Sequence, residues 1–210
     1  MAERYNDNIC LYRMTHINNI PHILRCGIVH KRSPLSNPNY VPIGDRSLID
    51  TRTSKIVQVH QQNITLGDYI PFYFGVRMPM LYVIQHGGNF VPRPVPPEDI
   101  IYVVVSLASV FLSGQNFYFS DGHAIDSLTK FYSNDDIKNL PSIIDWSAVQ
   151  AIQWTEPTIK RKKQAECLIE GDVSVTHIIA YVCYNANAKK RLMQMGVPEE
   201  IIKIYPKAYY

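Results

Sequence analysis

Residues Ile100–Leu107 read IIYVVVSL, and this run constrains the fold more than any other feature of the chain. β-Branched and aromatic side chains at this density favour a strand, and the shortage of polar residues indicates that the strand is buried. Aromatic and β-branched residues also dominate Asp68–Phe74 (DYIPFYF) and Met80–Gln85 (MLYVIQ). The middle of the chain is therefore predicted to be mostly sheet.

Strand and helix signals lie on both sides of this region. Further strands are predicted over Ile9–Thr15, Phe117–Phe119, Gln164–Glu170 and Val173–Tyr184, the last two joined as a hairpin at Glu170-Gly171-Asp172. Helices are predicted from the Asn19 cap through Pro21 to Gly27, from Asn134 to Pro141, and over Asn187–Met195 before Gly196. Because helices cluster near the ends and do not alternate with strands, we expect an α+β fold with a mostly antiparallel sheet.

The composition limits the class of protein. The chain has 210 residues, 46% of them apolar, which suffices for one core and a single domain over residues 1–210. A net charge of +3 excludes a general polycation, so any nucleic-acid surface must be a local patch. No secretion signal opens the chain, and its longest apolar stretch, Ile100–Leu112, is too short to span a bilayer. We expect a cytoplasmic monomer with no membrane segment.

Several common nucleotide-binding and metal-binding motifs are missing from the sequence. The ten glycines form neither GxGxxG nor GxxxxGK[ST], so any nucleotide must be held in another way. The four cysteines include no CxxC pair, and the seven histidines include no HExxH spacing. We therefore expect no bound metal.

Glu166 is the strongest anomaly in the sequence. It lies in the apolar segment Gln164–Glu170 (QAECLIE), where alternation places it on one strand face with Leu168 and Glu170. One interpretation is an edge-strand charge that faces water, as charged residues usually do, and Glu170 fits that interpretation because it adjoins the turn. The other is a functional carboxylate in the interior of the sheet.

Three further segments have both an ordinary and a functional interpretation. Residues His30–Thr53 are polar and rich in residues that break regular structure, with no helix or strand expected before Ser47–Arg52. Loops of this length without regular structure are usually either functional or disordered. The basic run Lys160–Lys163 is typical of a solvated loop, although it also suits phosphate contacts. The aromatic segment Tyr69–Phe74 is either core or a platform on which bases stack.

Taken in order along nearly the whole chain, several blocks resemble the DNA-targeting ADP-ribosyltransferase toxins called DarT. The blocks are Tyr12-Arg13-Met14-Thr15-His16, Asn19-Ile20, Leu24–Gly27, Pro42-Ile43-Gly44 leading to Arg52, Asp68–Phe74 with Arg77, Pro79 and Met80, Asp121-Gly122-His123-Ala124, Asp145-Trp146, Trp154, and Arg161 with Ala165–Ile169. The resemblance implies a split β-sheet flanked by helices, with NAD as co-substrate in the cleft between two sheet halves. It also implies single-stranded DNA as the target.

The resemblance implies roles for individual residues. Glu166 and Arg52 are similar to the family's catalytic glutamate and arginine, and the residues expected to contact NAD are Arg13, Met14, Thr15, His22 and Arg52. Arg13 stands where many relatives have His, which is expected to change the contact on the nicotinamide side because the two residues differ in charge and geometry. The residues expected to contact DNA are Tyr69, Tyr73, Arg77, His123, Lys160, Arg161, Lys162 and Lys163.

The same comparison assigns segments and partners. Residues 30–53 would cover NAD, residues 116–164 would recognise the target, and a macrodomain antitoxin would be the partner. Two other interpretations stay open. One is a different enzyme on the same fold, either an RNA 2′-phosphotransferase or an NAD glycohydrolase, and the other is a non-catalytic single-strand-binding module.

Overall fold

The structure is a computed structural model that describes residues 9–88, 91 and 93–210. Its strands are β1 (Cys10–His16), β2 (Ile56–Val59), β3 (Gln62–Thr65), β4 (Tyr69–Tyr73), β5 (Ile100–Ser106), β6 (Phe117–Ser120), β7 (Phe131–Ser133), β8 (Glu166–Glu170), β9 (Ile178–Cys183) and β10 (Ile202–Ile204). Its α-helices are α1 (Ile20–Cys26), α2 (Arg46–Ser54), α3 (Pro79–His86), α4 (Leu107–Leu112), α5 (Leu140–Ile143), α6 (Trp146–Gln150), α7 (Pro157–Lys163) and α8 (Ala186–Gln194).

Within the described residues, eight strands form one sheet in the order β10-β9-β5-β1-β4-β8-β6-β7. The paired strands are antiparallel except for β10 and β9. This architecture confirms the predicted α+β fold with a mostly antiparallel sheet flanked by helices.

The sheet is split between its two central strands. β1 pairs with β5 along its whole length, but it meets β4 only at the pair Tyr12–Tyr73. β4 then continues along β8 through five residue pairs, from Tyr69–Glu170 to Tyr73–Glu166. The two halves, β10-β9-β5-β1 and β4-β8-β6-β7, therefore diverge from one junction and leave a cleft between them.

β5 is buried on both faces, as its sequence predicts. Ile101, Val103 and Val105 pack into one core cluster with residues of both sheet halves. Ile100, Tyr102 and Val104 pack on the opposite face into a second cluster, which includes Leu81 and Ile84 of α3. A strand with apolar residues at every position is what a sheet covered on both faces requires.

Three local predictions are wrong. Met80–Gln85 belongs to helix α3 rather than to the sheet, because Pro79 opens the helix and Gly87, with φ of 80°, ends it. Pro141 lies in the first turn of α5 rather than ending a helix, and a 3-10 turn over Asn134–Asn139 precedes it. The basic run lies at the end of α7 rather than in a loop.

The predicted hairpin between the last two long strands is also wrong. β8 pairs with β4 and β6, whereas β9 pairs with β5 and β10 in the other half of the sheet. Gly171, with φ of 70°, turns the chain as expected. The turn leads away from β8 to the far half of the sheet, where β9 joins the buried strand β5.

Candidate active site

The cleft between the two sheet halves holds two adjoining cavities. The smaller, of about 170 Å³, is lined by residues of both halves, among them Arg13, Tyr73 and Glu166. The larger, of about 390 Å³, extends from it along the polar segment and the start of α1. Arg13 and Arg52 line both cavities, so the two spaces meet at these guanidinium groups.

Glu166 is buried at the first position of β8, with only 1% of its surface exposed. Its Oε1 atom accepts a hydrogen bond from the backbone N–H of Ala124 at 3.0 Å, and its own backbone N–H donates to Ser120 Oγ at 3.2 Å. β8 lies between β4 and β6, so the interpretation of Glu166 as an edge-strand charge facing water is wrong. The carboxylate is held inside the cleft.

Arg52 is the counter-ion of this carboxylate. Arg52 Nη1 lies 2.8 Å from Glu166 Oε2, and the Arg52 side chain is only 16% exposed. The arginine is placed by α2. Asp45 caps the start of this helix, and its carboxylate accepts hydrogen bonds from the backbone N–H groups of Ser47 and Leu48. Arg52 lies in the last turn of that helix, so the fixed start of α2 determines where its guanidinium reaches the cleft.

Two polar atoms of this pair have no hydrogen bond of their own. Both Arg52 Nη2 and Glu166 Oε2 are buried without a hydrogen-bond partner, although the ion pair is close. Buried polar atoms are nearly always satisfied, and leaving one unsatisfied costs about 1–3 kcal/mol. Arg52 and Glu166 both line the smaller cavity, where Arg52 Nη2 is a donor without a partner and Glu166 Oε2 is an acceptor paired only with Arg52 Nη1.

Arg13 and Tyr73 form the junction end of the cleft. Arg13 Nη1 donates to the carbonyl oxygen of Pro71 at 2.8 Å and thereby links β1 to β4 beyond their single pair. Burial raises the pKa of Tyr73 well above its usual value, and the nearby Glu166 carboxylate raises it further. Tyr73 is therefore a neutral phenol beside the carboxylate.

The other residues expected to contact NAD divide between the cavities. Met14 lines the smaller cavity, and Thr15 and His22 line the larger. Thr15 is already engaged, because its hydroxyl accepts from Asn19 Nδ2 at 3.0 Å. Asn19, which the sequence predicts as a helix cap, makes no side-chain capping hydrogen bond, and its amide instead donates to the Val41 carbonyl and accepts from the Val41 N–H, both at 2.9 Å. No sequence signal distinguishes such an anchor from an ordinary cap.

His123, which the sequence predicts to contact DNA, lines the smaller cavity together with Glu166. Its backbone N–H donates to the carbonyl of Arg161 at 3.0 Å, and its carbonyl accepts from Thr129 Oγ1 at 2.8 Å. Burial lowers the pKa of His123. The nearby Glu166 carboxylate acts to raise this pKa and the Arg52 guanidinium acts to lower it, so the net direction stays downward. The imidazole is therefore neutral at pH 7.

Helix α7 separates the four basic residues of the run. Lys160 is exposed, with its ammonium 5.8 Å from the centre of the Trp154 ring. Arg161 is bound to Asp121 Oδ1 at 2.9 Å, and Lys162 is bound to Asp145 Oδ2 at 2.9 Å.

Lys163 does not lie on the surface with the rest of the run. Its side chain is 2% exposed, and its ammonium donates to the Val149 carbonyl at 2.8 Å. Burial lowers the pKa of Lys163 to about 8. The expectation of four solvated cations is wrong, because the helical turn directs Lys163 inward. Of the four residues in the run, only Lys160 is both exposed and without an ion pair.

The two remaining predicted DNA contacts lie apart from each other. Tyr69 lines the larger cavity and packs edge-on against Tyr118, with ring centres 5.4 Å apart. Arg77, which has a left-handed φ of 60°, lies over the ring of Tyr210 at 4.6 Å. The structure thus brings Tyr73 and His123 to the carboxylate, whereas Arg77 lines neither of the two cavities.

The described part of the chain shows neither a metal-binding cluster nor a membrane-spanning helix. Residues 9–88, 91 and 93–210 contain no group of three or more His, Cys, Asp or Glu side chains arranged to hold a metal ion. None of the helices described there has the length and apolar character that a bilayer crossing requires.

Comparison with known proteins identifies the family. A family model for DarT, described as an ssDNA thymidine ADP-ribosyltransferase, matches residues 12–210. The chain belongs to the DarT family. The DNA ADP-ribosyl transferase of Thermus sp. (strain 2.9) is 34% identical over 99% of this chain and 94% of its own length. A fusion of a DNA ADP-ribosyl transferase with a DNA ADP-ribosyl glycohydrolase from Thermosipho africanus is 30% identical over 90% of this chain and 47% of its own.

Solved DarT structures share the fold. Thermus sp. 2.9 DarT in complex with ADP-ribosylated ssDNA has a TM-score of 0.85 and 28% identity, covering 100% of both chains. The same DarT in complex with NAD⁺ has a TM-score of 0.79 and 28% identity, covering 98% of this chain and 100% of that one. The predicted activity, NAD-dependent ADP-ribosyl transfer to a base in single-stranded DNA, is confirmed by family membership.

Proposed function

We propose that this DarT transfers ADP-ribose from NAD to a thymine base of single-stranded DNA, with Glu166 and Arg52 at the reacting centre. The observation that carries the proposal is the Glu166 carboxylate, which is buried between the two sheet halves with one oxygen free of hydrogen bonds. The description of the family supports thymine as the base.

The chemistry explains why a carboxylate is needed there. NAD supplies the ADP-ribosyl group: the bond between ribose C1′ and the nicotinamide nitrogen breaks, and its electron pair leaves with nicotinamide. Positive charge develops on the ribose, so a fixed carboxylate stabilises the transition state more than the ground state. Glu166 Oε2, which is paired with Arg52 Nη1 and has no other partner, is the oxygen that would meet the ribose or accept from one of its hydroxyls.

Arg52 orients the donor in this proposal. Its Nη1 is taken up by Glu166, while its Nη2 is buried and free. A planar guanidinium with a free donor suits an anionic or hydroxyl group of NAD. Residues 30–53, which carry this arginine, would form the segment that covers NAD, and residues 116–164 would recognise the target.

The thymine must lose a proton when its ring nitrogen N3 bonds to ribose C1′. A guanidinium stays protonated in proteins, so Arg52 is poorly suited to accept that proton. His123 lines the same cavity as Glu166 and is neutral at pH 7, because burial lowers its pKa. We therefore assign proton acceptance from the base to His123, and electrostatic stabilisation to Glu166.

Mass spectrometry of short oligonucleotides tests the proposal. Single-stranded oligomers that each contain one thymine, cytosine, adenine or guanine in an otherwise constant sequence would be incubated with protein and NAD. We expect a mass gain of one ADP-ribose on the thymine oligomer alone. A gain on another base would overturn the base assignment, and NAD consumption without any gain would indicate a glycohydrolase.

We further propose that the activity is that of a toxin controlled by a partner that removes ADP-ribose from DNA. The Thermosipho africanus relative, which joins both activities in one chain, supports this pairing. The partner would carry a macrodomain, and the protein would act as a cytoplasmic monomer where NAD and DNA are both present. Expression should arrest bacterial growth, a DNA ADP-ribosyl glycohydrolase should relieve the arrest, and Glu166→Gln should abolish it. Growth arrest by Glu166→Gln would contradict the role.

A further inference from the structure

Four aromatic rings cluster around the face of α3 that carries Tyr82 and His86. The rings of Tyr82 and His86 are stacked, with centres 4.1 Å apart and planes inclined by 18°. Tyr82 also packs edge-on against Trp154 at 5.9 Å and Tyr210 at 5.2 Å. We call these four residues the aromatic platform.

The aromatic platform is held in one arrangement by hydrogen bonds. Trp154 Nε1 donates to the Tyr210 hydroxyl at 2.6 Å, and that hydroxyl donates to the Arg77 carbonyl at 2.7 Å. His86 Nδ1 lies 2.9 Å from the Tyr82 carbonyl one turn earlier in α3. Rings fixed in this way lose little conformational entropy when a ligand binds them.

Part of the aromatic platform faces solvent and carries positive charge. Tyr82 is 43% exposed, and His86 and Lys160 are also exposed. The Arg77 guanidinium lies 4.6 Å from the centre of the Tyr210 ring, and Lys160 Nζ lies 5.8 Å from that of Trp154. Exposed aromatic rings interleaved with cations are the combination that proteins use to bind single-stranded nucleic acid.

The aromatic platform adjoins the cleft through two elements. On α3, Met80 and Ile84 line the smaller cavity, whereas Tyr82 and His86 lie in the platform. The two sites are therefore separated by one helix, whose diameter is about 10 Å with side chains. On α7, Lys160 precedes Arg161, whose carbonyl accepts the backbone N–H of His123 in the cleft.

We propose that the aromatic platform binds a nucleotide that flanks the modified thymine, with the neighbouring base stacked on the exposed rings and Lys160 contacting its phosphate. The inference rests on the proposed function, since it supplies a second subsite for the same strand. It adds Tyr82, His86 and Trp154 to the DNA-binding surface. The platform favours a longer strand over an isolated thymine without reading the neighbouring base by hydrogen bonds, because every base has a face that can stack.

Two measurements test the aromatic platform. The first compares KM for a nonanucleotide containing one central thymine with KM for thymidine 5′-monophosphate, which has no neighbouring nucleotide. The second is fluorescence-anisotropy binding of the labelled nonanucleotide without NAD. In wild-type protein the nonanucleotide should have the lower KM, and Tyr82→Ala should lose most of that preference and bind the nonanucleotide about tenfold more weakly, as expected for one lost stacking contact. Tyr82→Phe should restore both.

Tyr205→Ala is the matched control, because Tyr205 is 48% exposed and follows the edge strand β10. It should leave both measurements unchanged.

Lys160→Ala is a second variant, with Lys203→Ala as its control. Lys160→Ala should reduce the slope of the logarithm of the binding constant against the logarithm of salt concentration by about one, because one phosphate contact is lost. The proposal is overturned if Tyr82→Ala and Lys160→Ala bind the nonanucleotide as wild type does. If wild-type protein modifies no thymine oligomer, the proposed function fails, and the binding measurement still decides the platform.

Discussion

The Glu166 carboxylate and the Arg52 guanidinium are buried together in one cleft. Removing one partner of a buried ion pair leaves the other uncompensated, which costs about 3–5 kcal/mol in typical cases. Glu166 and Arg52 also each keep one polar atom without a hydrogen bond. A buried donor without a partner, such as Arg52 Nη2, is expected where that donor serves a ligand.

Arg52→Lys separates charge from geometry. Lysine keeps the positive charge beside Glu166 but lacks the planar fork that reaches a second group. We expect a melting temperature close to that of wild type and a fall in transfer rate of about 10–100-fold, since one oriented charge-assisted contact is lost. Arg52→Ala should also lower the melting temperature. Wild-type transfer by Arg52→Lys would show that the guanidinium fork has no role.

The pH dependence of transfer tests His123. Burial lowers the pKa of His123 below the ordinary value of 6.5, so the ring is neutral above that pH and becomes charged only below it. If it accepts the base proton, the rate constant should be level from about pH 6.5 to 8 and fall below 6.5. As the pH falls, His123 is protonated in the unfolded chain at a higher pH than in the folded protein, so the free energy of unfolding also decreases below about pH 6.5. Rates must therefore be measured where the protein remains folded. A rate unchanged in His123→Gln would contradict the role.

At the scale of elements, the segments with local signals are those that the sequence predicted well. Proline and glycine bracket α1 as expected, and the apolar run of β5 indicates its burial. The segment MLYVIQ of α3 suits a strand or a helix equally, and only the flanking Pro79 and Gly87 distinguish the two. The partner of β9 was not predictable, because the chain after Gly171 crosses to the other half of the sheet.

The candidate site was predictable to a similar degree. Strand alternation identified Glu166, because a carboxylate inside an apolar strand conflicts with its surroundings. Arg52 and His123 came only from the resemblance, since nothing local distinguishes them from surface residues. The position of Tyr40 in the lining of both cavities and the contact of the Asn19 amide with Val41 depend on long-range packing, which no local pattern predicts.

The segment proposed to cover NAD is fastened at its base by Asp172. Its Oδ1 accepts from the backbone N–H of His30 at 2.7 Å, and its Oδ2 accepts from the Ser33 hydroxyl at 2.6 Å. Asp172→Ala should loosen the segment and raise KM for NAD by up to about tenfold, the equivalent of one or two lost hydrogen bonds, with a smaller effect on kcat. Asp172→Asn, which keeps one acceptor, should fall between. Steady-state kinetics that show an unchanged KM would contradict this anchoring.

At the scale of the whole molecule, one junction organises the cleft. The two sheet halves share the pair Tyr12–Tyr73 and the hydrogen bond from Arg13 to Pro71. Beyond that junction, α2 places Arg52 and β8 places Glu166 in the space between the halves. The net charge of only +3 leaves DNA binding to local features, of which the aromatic platform next to the cleft is one.

Glu166→Gln tests the role of the buried carboxylate, because glutamine preserves the side-chain volume and an acceptor for the Ala124 N–H while removing the charge. Wild-type and variant protein would be incubated with NAD and a thymine-containing single strand, and the product followed by mass spectrometry, with melting curves as the folding control. Wild-type protein should add one ADP-ribose to the strand. The folded variant should transfer ADP-ribose at a rate lower by at least about 10²–10³-fold. Transfer at the wild-type rate by Glu166→Gln would contradict this role.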